Sequence, residues 1–276
     1  MKSSMILAGA LACALALTAC GGGGDSGSDG EPPALSRRAD EGIWSNATTA
    51  EYRRDGFLLQ SVILSDGSYW GAVSMNGVCV HSVLNGIAKI DEVKVSGKYT
   101  DTWNYYENGT YSGVVSAGSK IDVTFGPENA WNLLPEGLNG LVYDDIYNQP
   151  ISLSEISGEY INKIYDRCSD FTIGIPYPAP SIGYANSLSP RILGSKIVLV
   201  DIQGSEVAEG DLMPREAGVS VFDMSLITTT TIPYAPMGTV FKGILFQTSS
   251  GRKDNEIEII ARSRDSAYFF IGQKQK

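Results

Sequence analysis

The sequence predicts an all-β protein whose architecture is an antiparallel β-barrel or a β-sandwich. One unit and two small modules in tandem are both compatible with its length. Three observations carry this prediction. Short segments alternate between apolar and polar residues, turn dipeptides such as Asp66-Gly67 separate them, and no convincing amphipathic helix period is present. The 31 glycines and 14 tyrosines agree with it, because these residues suit turns and half-buried sheet faces.

The first 19 residues have the layout of an export signal. Lys2 precedes an uncharged apolar run, 5–19, which is shorter than the roughly 20 residues of a membrane-spanning helix. The run ends in Leu17-Thr18-Ala19-Cys20, which resembles the lipobox of bacterial lipoproteins. That resemblance implies cleavage between Ala19 and Cys20 and acylation of Cys20, so the membrane is the expected partner of the N-terminus. The alternative is an ordinary signal peptide with an incidental cysteine.

Residues 20–41 are predicted to be the lipidated cysteine and a Gly/Ser-rich tether, because such low-complexity segments behave as random coil. Gly21 follows the cysteine. In the sorting pattern of enterobacterial lipoproteins, a residue other than aspartate at this place implies the outer membrane. The expected location is therefore the cell envelope, lipid-anchored at the outer membrane, with either face of that membrane open.

The first β module is predicted over 42–125. Asp66-Gly67 and Asn108-Gly109 are expected to be hairpin turns. In the segment 93–100, the alternation places Val93, Val95, Gly97 and Tyr99 toward a core and Lys94, Ser96, Lys98 and Thr100 toward water. The strands expected in this module are 57–64, 68–74, 93–100, 102–107, 110–115 and 121–125.

The residues 126–155 carry Pro, Asn, Gly and acidic residues without a clear period, which predicts a linker. A second β module is predicted over 156–276. Its expected strands are 156–162, 171–175, 196–200, 219–230, 239–247, 256–262 and 267–272.

Two resemblances bear on the body. Gly42-Ile43-Trp44 resembles the Gly-x-Trp motif of lipocalins, and a lipoprotein with β-barrel modules resembles the transferrin-binding type of surface lipoprotein. The lipocalin resemblance implies a barrel with an internal cavity for a small apolar ligand.

Residues suited to catalysis or metal binding are few. His81 is the single histidine, and no Gly-x-Ser-x-Gly motif occurs, so we predict no catalytic triad and no metal site. No cofactor is expected. A net charge of -10 without a basic cluster argues against nucleic acid as a partner. Cys79 and Cys168 are the only cysteines after Cys20, and export to an oxidising compartment predicts that they form a disulfide.

An aromatic cluster is the best candidate for a binding surface. It surrounds the predicted turn at Asn108-Gly109, and alternation places some of its rings outward, where they form a stacking platform for a protein or a glycan. The alternative is cross-strand packing within a sheet. The cluster consists of Trp103, Tyr105, Tyr106 and Tyr111.

The function predicted from these observations is that of a cell-envelope lipoprotein with a non-catalytic β body. This body binds a protein or glycan partner or has a structural role. Two alternatives stay open: an envelope hydrolase that uses two carboxylates, and a lipocalin-like binder of small ligands.

Overall fold

Within the part of the chain that the structure describes, sixteen β-strands form two closed antiparallel barrels of eight strands each. The structure is a computed structural model. It describes residues 37–47, 57–75, 79–101, 108–126, 137–162, 188–232, 235–264 and 266–276. The predicted all-β class and the tandem arrangement are therefore confirmed, and the architecture is the barrel rather than the sandwich.

The first barrel follows the chain order, and its first strand pairs with its last. Ile43 lies opposite Asp144 and Trp44 opposite Tyr143, so no strand edge is left open. The strands are β1 Gly42–Ser45, β2 Phe57–Ile63, β3 Ser68–Met75, β4 Cys79–Asp91, β5 Lys94–Asp101, β6 Asn108–Ser116, β7 Lys120–Phe125 and β8 Gly137–Asp144.

Tyrosine rings lie over glycines on the neighbouring strands of this barrel. A Cβ atom added at Gly109 would stand 2.1 Å from the Tyr99 ring, so only glycine leaves room for that ring. The register repeats the pairing three times, as Tyr69 with Gly86, Tyr111 with Gly97 and Tyr99 with Gly109. Gly109 therefore belongs to a strand, and the prediction of a turn at Asn108-Gly109 is wrong.

The second barrel is closed by β9, which lies between β10 and β16. Glu159 of β9 pairs with Arg191 on one side, and Ile161 pairs with Gln273 on the other. The strands are β9 Gly158–Asn162, β10 Ser189–Leu193, β11 Lys196–Val200, β12 Glu206–Pro214, β13 Val221–Thr228, β14 Val240–Phe246, β15 Glu256–Arg262 and β16 Ala267–Lys274.

Strand β8 lies inside the segment 126–155 that was predicted as a linker. Its sequence, Gly-Leu-Asn-Gly-Leu-Val-Tyr-Asp, has no clean period of two, and its ladder to β7 shifts register between Ile121 and Val123. Tertiary pairing with β1 and β7 therefore makes a strand where local propensity predicts none. The connection that follows contains a 3-10 helix, Asp145–Asn148, and a capped turn of helix, α1 Leu153–Ile156.

Four further strands, β1, β4, β10 and β12, had no counterpart in the sequence prediction. Glycines, prolines and charged residues interrupt their apolar pattern, and a β-bulge shifts the pairing of β12 with β11 at Leu199 and Val200. The predicted strands 102–107 and 171–175 lie outside the described residues.

A third apolar core lies between the two barrels. Outward-facing side chains of β1 to β4 contact outward-facing side chains of β13 to β16, and Tyr147 of the 3-10 helix joins them. Phe246 and Ile260 are fully buried there. Because Arg37–Lys276 also form one compact unit, the two barrels are joined by a continuous core rather than by a linker alone. Members of this core are Ile43, Val62, Leu64, Val83, Ile146, Tyr147, Val219, Val221, Ile244, Phe246, Ile260 and Phe269.

Candidate functional site

The described part of the first barrel's interior contains a small apolar cavity. Its volume is about 40 Å³, and Leu59, Tyr69, Tyr111 and Leu141 are among the side chains that line it. Pockets for drug-sized ligands have volumes of about 300–1,000 Å³. The cavity as described is therefore far too small for a lipocalin-type ligand.

The Gly-x-Trp motif packs at the rim of the same barrel. Trp44 is fully buried, its Nε1 donates to the carbonyl oxygen of Asp40 at 2.9 Å, and its ring meets Tyr143 edge-on at 5.1 Å. Arg38 donates to the Asp40 carboxylate and to the carbonyl oxygen of Ala88. These hydrogen bonds therefore hold residues 38–44 against the first barrel.

The second barrel is filled by its own side chains. Its described cavity, which lies between Leu188, Leu199, Phe241 and Tyr268, has a volume of about 10 Å³. A cavity of that size holds at most about one water molecule. The barrel interior is thus a packed core.

A carboxyl group with a perturbed pKa lies between the barrels. Gln60 Nε2 donates to Glu258 Oε1 at 2.7 Å, and burial raises the pKa of Glu258 to about 8. Perturbed carboxyl groups in clefts are candidates for catalysis. Glu258, however, lines none of the cavities described here and sits beside the core between the barrels, so its arrangement is structural.

The adjacent pair Asp144-Asp145 also has a structural role. Asp144 Oδ2 accepts from the backbone N–H of Ser249 at 2.8 Å, and the Ser249 hydroxyl donates to the same carboxylate. Asp144 also caps the 3-10 helix by accepting from the N–H of Ile146. The pair therefore ties the end of the first barrel to the second.

The largest of these cavities is an open cleft of about 590 Å³ on the outer face of β4, β5 and β6. Alternation along β5 turns Tyr99 into the barrel and Lys98 outward, as the sequence predicts. Val93, which was predicted to face the core, lies in the turn before β5 and is 53% exposed. We call this site the lysine cleft, and its outward-facing side chains are Ile87, Lys89, Ser96, Lys98, Thr100 and Thr110.

The register of the sheet brings the two lysines of the cleft together. Lys89 lies opposite Ser96, and Lys98 lies opposite Ile87 on one side and Thr110 on the other. Lys98 is therefore the diagonal neighbour of Lys89, a relation that separates Cβ atoms by about 7–8 Å. Two ammonium groups and three hydroxyl groups thus face one open surface.

In the described part of the chain, these lysines have no carboxylate partner. Within the described ranges, neither Lys89 nor Lys98 forms an ion pair with a carboxylate. By contrast, Lys120 pairs with Asp122 at 2.9 Å and Lys196 with Asp211 at 2.6 Å. The lysine cleft therefore keeps positive charge available to an external anion.

The structure describes one of the four residues predicted as a binding surface. Tyr111 is inside the first barrel, 8% exposed, with its ring edge-on to Tyr69 at 5.3 Å, so it is not part of an outer platform. Inward alternation along β6 explains this position. Trp103, Tyr105 and Tyr106 lie outside the described residues, in the segment that connects β5 with β6.

The residues of the anchor and of the disulfide are also beyond what the structure describes. Ala19, Cys20 and Cys168 lie outside the described ranges. Cys79 begins strand β4, and its pairing with Cys168 stays a prediction.

The sequence prediction missed the lysine cleft, although it identified the outward-facing residues of one of its strands, β5. Strand β4 was not predicted, so nothing in the sequence prediction placed Lys89 next to Lys98. The Lys-Ile-Asp of 89–91 next to the turn at 92–93 is a weak hairpin signal that points to this strand pair.

The described part of the chain offers neither a cluster of metal ligands nor a membrane-spanning helix. No group of three or more His, Cys, Asp or Glu side chains there is placed to hold a metal ion. No helix of that part is both long and apolar enough to cross a membrane.

The fold and the cleft define a two-barrel, all-β protein with an open polar cleft on its first barrel. No protein family model, no curated protein and no solved structure matches the chain.

Proposed function

We propose that the protein is a lipid-anchored, non-catalytic binding protein of the cell envelope. Cys20 carries the acyl chains that tie it to the outer membrane, and the body binds a partner or a glycan. The observation that carries the binding role is the lysine cleft, whose volume of about 590 Å³ lies in the range of ligand sites.

The chemistry of the cleft suits a hydroxylated or anionic group. Lys89 and Lys98 supply ammonium donors, and Ser96 and Thr110 supply hydroxyl groups that both donate and accept. Ile87, at 55% exposure, adds an apolar contact of the kind that a sugar ring or an acyl chain covers.

The joined barrels support a binding role by giving the cleft a rigid base. The strands that carry it belong to a closed barrel, and this barrel shares an apolar core with the second one. A site built on strands of such a body holds its side chains in place better than a site on loops.

The test is titration of the purified protein with three defined probes: neutral dextran, acidic polygalacturonate and glycerol phosphate. We expect binding to at least one probe, with loss of binding in the double variant Lys89→Gln and Lys98→Gln. The control is Lys242→Gln, because Lys242 is an exposed lysine on β14 of the second barrel.

Two results would contradict the proposal. One is the absence of any cleft-dependent binding to the three probes. The other is release of reducing sugar from a polysaccharide, abolished by changing a single Asp or Glu, which would favour the envelope hydrolase.

A further inference from the structure

The lysine cleft belongs to a larger face that combines positive charge with exposed aliphatic side chains. Lys94 lies two residues before Ser96 on β5 and is therefore the second diagonal neighbour of Lys89. Ile87 on β4, Val93 in the turn between β4 and β5, and Val114 on β6 are 55%, 53% and 53% exposed. Alternating cations and aliphatic groups are typical of surfaces that rest on the headgroup region of a membrane.

Among the side chains that the structure describes, the carboxylates near this face lie at one end of it. Asp91 is opposite Lys94, and Glu92 is in the turn between β4 and β5. Lys89 and Lys98, in the middle, have only serine, isoleucine and threonine opposite them. The repulsion between the two ammonium groups, on the order of 0.5 kcal/mol in water, is relieved when one anion contacts both.

The predicted tether is long enough for this face to reach the membrane. Residues 20–36 separate the predicted acylation site from Arg37, and a segment of that length spans at most about 60 Å. A chain of that reach lets the lysine face contact the membrane to which an anchor at Cys20 attaches.

We propose that the lysine cleft binds phosphate groups of anionic lipid headgroups in the membrane to which Cys20 is attached. Lys89 and Lys98 contact the phosphate oxygens, the hydroxyl groups of Ser96, Thr100 and Thr110 contact the polar part of the headgroup, and Ile87 contacts the acyl boundary. The body then lies with β4 to β6 against the membrane. This inference rests on the proposed function and names the partner of the same cleft.

The first experiment measures amine accessibility in the full acylated protein. The protein is placed in vesicles of pure phosphatidylglycerol or pure phosphatidylcholine, labelled with an acetylating reagent, and analysed by mass spectrometry. We expect Lys89 and Lys98 to be labelled several-fold more slowly on phosphatidylglycerol, and Lys242 at the same rate on both. If Lys89 and Lys98, like Lys242, were labelled at the same rate on both lipids, the inference would be overturned.

The second experiment separates the cleft from the anchor. The chain with Cys20→Ser is sedimented with phosphatidylglycerol vesicles, where each lysine near the surface contributes about 1 kcal/mol. The further changes Lys89→Gln and Lys98→Gln should weaken this binding by about 30-fold. Lys242→Gln should leave it unchanged, and added salt should weaken it in every variant that keeps the cleft.

The outcomes distinguish this inference from the proposed function. Flotation of the acylated protein with phosphatidylcholine vesicles tests the anchor, and failure to float would contradict the anchor of the proposed function. Sedimentation of the Cys20→Ser chain tests the lysine cleft independently of the anchor. Protection of the lysines by free inorganic phosphate alone would show a soluble phosphate site and overturn the membrane assignment. Protection by polygalacturonate but not by phosphatidylglycerol would also overturn it, and would leave the proposed binding of a glycan intact.

Discussion

Gln60 on β2 and Glu258 on β15 form a buried hydrogen bond between the two barrels, with Nε2 donating to Oε1 at 2.7 Å. Burial raises the pKa of Glu258 to about 8, the negative charge of Asp144 adds to this, and the bond from Gln60 offsets part of it. At neutral pH the carboxyl group is therefore mostly protonated. The bond joins the barrels without placing a full negative charge between them.

This relationship predicts a pH-dependent stability. The ordinary pKa of the group is 4.5 and the folded value is about 8, so between these values the folded state binds the proton more tightly. The free energy of unfolding contributed by this proton is fully present below pH 4.5 and is lost as the pH rises toward 8. The loss amounts to on the order of 5 kcal/mol. Urea unfolding between pH 5 and pH 9 measures it.

The matched variants for this prediction are Glu258→Gln and Glu209→Gln. Glu258→Gln removes the titrating group but keeps a hydrogen-bonding side chain, so its stability should fall much less with pH. Glu209 is exposed on β12, and its change should leave the pH dependence of the parent protein intact. The same pH dependence in both variants would show that another group is responsible.

The shared core predicts that the two barrels unfold together. Phe246 is fully buried between them, and replacing it with alanine should lower the free energy of unfolding by about 3–5 kcal/mol. Calorimetry of the parent protein should give one transition, and Phe246→Ala should lower its midpoint. Val240→Ala, at a 46% exposed position on the same strand, should have little effect. Two well-separated transitions in the parent protein would contradict the shared core.

Inward-facing glycines let neighbouring strands approach closely in both barrels. A Cβ atom added at Gly210 would stand 1.8 Å from the carbonyl oxygen of Ser225, which is backbone and cannot move aside. Gly210→Ala should therefore lower the free energy of unfolding, measured with denaturant, by about 1–3 kcal/mol. As a control, Gly194 has φ +62 with open space around it, and asparagine tolerates that conformation better than most side chains, so Gly194→Asn should cost less stability than Gly210→Ala. Equal stability of the two variants would argue against the close approach.

The lipobox predicts that the mature protein begins at Cys20 and carries acyl chains. Two or three chains hold a protein firmly at a membrane, whereas one chain binds reversibly. Mass spectrometry of the mature N-terminus should find the acylated cysteine, and Cys20→Ala should move the protein from the detergent phase to the aqueous phase. An unmodified N-terminus in a soluble fraction would contradict this prediction.

Cys79 and Cys168 are predicted to form a disulfide that connects the two modules. Such a bridge closes a loop of about 90 residues and stabilises the protein by up to about 4–5 kcal/mol in the chain-entropy model. Peptide mapping without reduction should recover the linked pair. Recovery of two free thiols from freshly exported protein would exclude the bridge.

Much of the fold follows from local pattern. Strands β11 and β15 coincide with the predicted segments 196–200 and 256–262, because strict alternation or a continuous apolar run defines a strand without reference to its neighbours. Strand β8 shows the opposite case. Its two glycines and one asparagine weaken its intrinsic preference, and it becomes a strand only because β1 and β7 pair with it on either side.

The lysine cleft likewise combines one feature set by local pattern with one set by strand pairing. Alternation along β5 was enough to place Lys98 outward, but the position of Lys89 depends on the register between β4 and β5. Tyr111 shows why the sequence could not place the predicted aromatic cluster. Alternation shows that a side chain is on one of two faces, but which face is interior is decided only when the sheet closes into a barrel.

The sequence by itself determined the all-β class, the position of many strands and the lipobox that predicts an anchor, because these are properties of residues adjacent in the chain. Only the tertiary structure decided that the sheets close into two barrels, that Gln60 meets Glu258 between them, and that Lys89 and Lys98 share one cleft. The physical reason is that strand pairing joins residues far apart in the chain. The register of those pairs depends on the packing of the whole barrel rather than on any local pattern.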